Sequence, residues 1–218
     1  MSAHRHLHTH PLLLLALLCC LCLPAHAQDW GSSPESVLQG VSHALDTADA
    51  TLFDTLVDTR AICQQGVKAF LDLAATPEGT QLMPPAVNLI LSSMGNTPQA
   101  RDTIAALLAG EAQNFVHYGV ASGKFGGNPH PQPPQANGML ASLFANASLG
   151  RKELRHVGSA TYTENLTATL PLEVYDHDTG RSYAVVAGFS KPAGVWRVSS
   201  IANMDALITQ ISQEATQP

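Results

Sequence analysis

Residues 154–204 read as four short strands in a row, and this run limits the folds open to the chain. The clearest strand is 166–175. Leu166, Ala168, Leu170, Leu172 and Val174 fall on one face, and Thr167, Thr169, Pro171, Glu173 and Tyr175 on the other. A period of two is the signature of a strand buried on one side only. Pro171 has no N–H to give a ladder and marks an edge or a bulge. Two turns, Asp176-His177-Asp178-Thr179-Gly180 and Lys191-Pro192-Ala193-Gly194, separate this strand from 181–190 and 195–201. Tyr183, Val185, Ala187 and Phe189 share a face of the third strand. Such short turns join antiparallel neighbours, so the run is a meander. Residues 154–163 supply its first strand. A sheet with one apolar face needs a cover, and the chain before it is helical in pattern.

The cover can be read from repeated start signals. Ser33-Pro34-Glu35, Thr76-Pro77-Glu78 and Thr97-Pro98-Gln99 each place a capping hydroxyl before a proline at the first helical position. After the first, Val37, Leu38, Val41, Ala44, Leu45 and Ala48 make one apolar stripe. A short piece over 49–57 follows. A third helix, capped by Asp58 or Thr59, carries Ile62, Gly66, Ala69, Phe70 and Leu73. Pro84-Pro85 breaks the next segment, which leaves a helix over 86–94 ended by Gly95. The longest helix, 98–118, has Ile104, Leu107, Leu108, Glu111, Phe115 and Tyr118 on its stripe. Residues 119–138 are rich in Gly and Pro and break all periodicity, as a mobile surface loop would. A short apolar helix over 139–147 leads onto the sheet. A last helix starts at Asn203 or Asp205.

The beginning of the chain is a different kind of segment. Arg5 and four histidines precede an apolar run, residues 12–23, and then Pro24-Ala25-His26-Ala27. A basic start, about a dozen apolar residues and an Ala-x-Ala end make a secretory signal peptide. Cleavage is expected after Ala27, giving a periplasmic or secreted chain that forms one domain over 28–218. The run is shorter than the ~20 apolar residues of a membrane span, and no later stretch is apolar enough to be one. Three of the four cysteines, Cys19, Cys20 and Cys22, leave with that segment, so Cys63 has no partner for an internal disulfide. Its helical setting reads as a buried, inert thiol.

Charge and motifs exclude several functions. With Arg5 gone, ten basic side chains stand against seventeen acidic ones, and no basic stripe offers itself to nucleic acid. There is no Gly-x-Ser-x-Gly elbow and no phosphate-binding loop. Asp176-His177-Asp178 offers three possible metal ligands, but a turn recruits Asp for backbone reasons and a metal site draws ligands from several elements. No catalytic residue, metal ligand or cofactor is assigned. Tyr162 and Tyr183 are candidates for the polar rim of a pocket, since a phenol offers an apolar ring and a hydroxyl.

Helices, then a curved meander, then a closing helix is the order of the NTF2-like (cystatin-like) cone folds. Two stretches add to the likeness: Trp196-Arg197-Val198-x-x-Ile201-Ala202-Asn203-Met204, and Phe53-x-x-Leu56-Val57-Asp58-Thr59-Arg60. In these the chain resembles exported bacterial proteins of the DUF2939-like families, which have no established catalytic residues. The expected fold is α+β, with N-terminal helices on a curved four-stranded antiparallel sheet and a short C-terminal helix. The expected function is non-enzymatic binding of a small apolar ligand or an envelope protein. The alternatives are a periplasmic lipid carrier and an NTF2-like enzyme with a buried acid/base pair.

Overall fold

The computed structural model describes residues 29–82, 97–131, 147–163 and 166–215. The signal segment and the expected helix over 86–94 lie outside the described residues, as does nearly all of the helix over 139–147. The described chain is α+β. Its helices are α1 (Pro34–Thr47), α2 (Ala50–Leu56), α3 (Thr59–Ala74), α4 (Pro77–Leu82), α5 (Pro98–Ala121) and α6 (Met204–Ala215). Its strands are β1 (Lys152–Arg155), β2 (Thr161–Thr163), β3 (Thr167–Asp176), β4 (Arg181–Ser190) and β5 (Arg197–Ile201).

The helix starts follow from local chemistry. Ser33 Oγ accepts from the Ser36 N–H, and Ser36 Oγ accepts from the Ser33 N–H, a reciprocal pair that satisfies two orphan donors of α1. Asp49, Asp58 and Thr97 cap α2, α3 and α5 in the same sense, accepting from the N–H groups of Leu52, Ala61 and Ala100. The stripe of α1 is buried as its spacing predicts, from Val37 to Leu45. That of α3 is so only in part: Ala69 is buried and Ile62, Gly66, Phe70 and Leu73 are half-buried, while Val67 and Leu71, off the expected stripe, are also buried, because α3 is packed by α5, by α6 and by β5 rather than on one side. Val67 and Leu71 join Ile104, Leu108 and Ala109 of α5 in a second small core. Leu107, expected on that stripe, is 41% exposed.

The sheet is four strands wide, in the order β1-β3-β4-β5, with β2 also on β3. All the pairings are antiparallel. The expected single first strand over 154–163 is broken in two. β1 pairs with 173–176 of β3, and β2 with 167–169. The break faces Pro171. The Gly158 N–H donates to the Pro171 carbonyl at 2.9 Å, so Pro171 turns its backbone toward the outer strand, where its missing N–H leaves a gap in the ladder. His156 takes a left-handed φ of 48° at the break.

Alternation sets the core. Ala168, Leu170 and Leu172 stand opposite Phe189, Ala187 and Val185, and all six are buried. They pack with Val37, Leu38, Val41 and Leu45 of α1 and with Leu56, Val120, Phe125, Trp196 and Val198 in one contiguous core. Phe125 comes from the stretch expected to be a mobile loop. Instead α5 runs on to Ala121, and a tight turn follows it. The Phe125 N–H donates to the Gly119 carbonyl at 3.0 Å and the Asn128 N–H to the Gly123 carbonyl at 2.9 Å. Gly119 is needed there, since a Cβ would lie 2.3 Å from the Phe125 ring. Gly123 takes a φ of 68° that L side chains rarely adopt. Burial of one ring, worth about 1.5–3 kcal/mol, holds the start of the stretch that reads as loop; its residues 132–138 lie outside the described residues.

Candidate functional site

Two stretches, 53–60 and 196–204, touch each other at the β5 edge. The Asp58 N–H donates to the Val198 carbonyl at 2.8 Å, beside a parallel bridge between Val57 and Val198. Arg197 Nη2 donates to the carbonyls of Asp54 and Val57, at 3.2 and 3.1 Å, and so caps the end of α2. Two side-chain amides extend the ladder further. Gln65 Nε2 donates to the Ile201 carbonyl at 2.8 Å, and Gln65 Oε1 accepts from the Ile201 N–H at 2.9 Å. Asn203 does the same for β4. Its Nδ2 donates to the Ala184 carbonyl and its Oδ1 accepts from the Val186 N–H, both at 2.8 Å. Each amide replaces a strand residue, offering one donor and one acceptor in the plane of the sheet. These residues are committed to the fold.

The two tyrosines proposed for a pocket rim do not meet. Tyr162 stands opposite Ala168 and Tyr183 opposite Val174, six residues apart along β3 and so roughly 20 Å. Tyr183 is half-buried, and its hydroxyl donates to Glu214 Oε2 at 3.0 Å, which Arg181 also reaches at 3.0 Å. Burial, and then the neighbouring Glu214 carboxylate, push the phenol above its usual value. This group ties α6 to the sheet. Tyr162 is 57% exposed, and its ring meets the buried Trp196 edge-on with centroids 5.8 Å apart.

Among the described residues no further strand pairs with β2, whose middle residue is Tyr162. Because Pro171 faces outward along β3, so do Thr167 and Thr169. Thr163 and Thr161 are therefore the β2 residues whose backbone bonds to β3, and the N–H and C=O of Tyr162 point away from the sheet. Exposed apolar side chains belong to the same end of the sheet: Leu166, 63% exposed and beside β3, and Val195, 47% exposed and next to Trp196. Lys191 Nζ lies 5.5 Å from the Trp196 ring centroid. The Trp196 backbone N–H donates to the Gly31 carbonyl at 3.0 Å, and its indole is buried beside this surface. At the break itself the Ala160 N–H is taken by Glu35 Oε1 at 3.0 Å.

The turn expected to hold Asp176, His177 and Asp178 is spent on structure. Asp176 Oδ1 accepts from Ser148 Oγ at 2.9 Å and the Asp178 N–H at 3.0 Å, with Lys152 Nζ at 3.2 Å. Burial works to raise the Asp176 carboxyl, but these hydrogen bonds outweigh it and hold it below its usual value. His177 Nε2 instead meets Glu153 Oε2 at 2.8 Å on the outer face, and Arg155 Nη2 donates to the same oxygen at 2.7 Å. The Arg155 hydrogen bond, then that of His177, pull the Glu153 carboxyl down to about 2. The Arg155 guanidinium lies 3.7 Å over the Tyr175 ring. Glu153 and Arg155 escaped the sequence reading, although their i, i+2 spacing in a strand puts them on one face. Among the described residues no group of three or more His, Cys, Asp and Glu is arranged to hold a metal. Cys63 is half-buried, and burial pushes its thiol up to about 11, so it is protonated at neutral pH. A shallow depression of about 250 Å³ beside α3 and α5 is lined by Gln64, Asp102, Ala105 and Ala106.

No described helix is long and apolar enough to cross a membrane. Comparison with protein families, curated proteins and solved structures found no match for this chain.

Proposed function

We propose that this chain is an exported, non-enzymatic binding protein with a cone-like scaffold of the NTF2-like kind, and that its partner is a polypeptide that docks in an extended conformation on the β2 edge. One observation carries this reading: the outward-facing backbone of Tyr162 beside its own exposed ring. An extended segment offers the matching donor and acceptor and sets an alternate side chain against the ring, as in strand addition to a sheet edge. Three exposed residues make a short edge, so the expected affinity is modest and the apolar contact with Tyr162, Leu166 and Val195 supplies much of it. The packed face beneath the helices favours this surface over a ligand held in the concavity. Tyr183, already bonded to Glu214, has no role in binding.

The test is peptide display against the folded protein, followed by amide hydrogen exchange on the complex. Selected peptides should carry alternating apolar residues, protect the Tyr162 N–H and lose binding to a Tyr162→Glu variant. Peptides that bind that variant equally well, or that protect α3 and α5 instead, would overturn the proposal.

A further inference from the structure

We draw no further inference here: the strongest candidate, the side-chain cluster of Ser148, Lys152 and Asp176 at the turn end of the sheet, carries nothing, because the Lys152 ammonium donates to Ser148 and Gly150 and pairs with Asp176 while Ser148 Oγ already donates to that carboxylate, which makes it a clasp on the turn with no group left for a ligand.

Discussion

The two edges of the sheet are finished in opposite ways. Along β5, backbone from the α2–α3 junction and the amides of Gln65 and Asn203 take up ladder groups where strand pairing stops. Along β1 and β2 the ladder is interrupted at Pro171, and a three-residue strand leaves Tyr162 with its backbone and ring both turned outward. An unpaired edge is a template for another chain, which proteins blunt by shortening, covering or charging it. Here the β5 edge is covered, whereas on the other the Phe125 carbonyl takes the Lys152 N–H and Glu35 takes the Ala160 N–H, and among the described residues it is the backbone of Tyr162 that has no such cover. Stability should therefore be concentrated at the first, and any recognition by strand addition must use the second.

Mutations can break this contrast. Leu56, 2% exposed, backs the covered edge at the end of α2. Leu56→Ala should cost about 2–5 kcal/mol in urea unfolding, a transfer loss plus a cavity. A loss under about 1 kcal/mol would mean the α2–α3 junction is not part of the folded core.

A smaller loss, about 1–3 kcal/mol, is expected for Gln65→Glu, which sets a carboxylate oxygen against the Ile201 carbonyl in place of a donor. Gln65→Glu as stable as the parent would show that the amide does not serve as a ladder residue.

On the β1 side, acid should open the Glu153 pairs. The folded carboxyl lies at about 2 against 4.5 for the free group, so its favourable pairing is complete above pH 4.5 and is lost as pH falls toward 2. Carbon-detected NMR titration of Glu153 should give a midpoint near the lower value; a midpoint near 4.5 would mean that Arg155 and His177 stand apart from it in solution.

The smallest effect on stability belongs to Tyr162→Ser, expected below about 1 kcal/mol because the ring is mostly exposed and only its edge contact with Trp196 is lost. The order of effects should invert when peptide binding is measured: Tyr162→Ser loses it and Gln65→Glu, while folded, retains it. Equal loss in both variants would show that the two edges do not divide the work.

Much of the fold could be read from local pattern. The period of two assigned Ala168, Leu170 and Leu172 to the core face of β3 correctly, while Leu166, expected on the same face, precedes the strand and is 63% exposed, and the Ser-Pro-Glu start of α1 fell where its cap forms. The candidate site was less accessible. Tyr162 could be picked out as an amphipathic aromatic, but nothing local told that 154–163 breaks into two strands or that Tyr162 lies roughly 20 Å from Tyr183. Pro171 signalled an interruption without saying on which side of β3 it would act. The turn after α5 was misread for a related reason: glycine and proline report backbone freedom, and nothing local tells that Phe125 finds a buried partner in Gly119.

By itself, then, the sequence determined most of the described elements, their order and the buried faces of β3 and β4. Those properties depend on neighbours a few residues apart, through sterics, capping and period. Only the tertiary structure decided which edge is closed. The contacts that close it, Asp58 to Val198 and Gln65 to Ile201, join residues about 140 positions apart. Hydrogen bonds between backbone and a distant amide have no period and no signature in the chain. They exist because folding brings unpaired ladder groups beside side chains able to satisfy them, and among the described residues none is brought to the backbone of Tyr162.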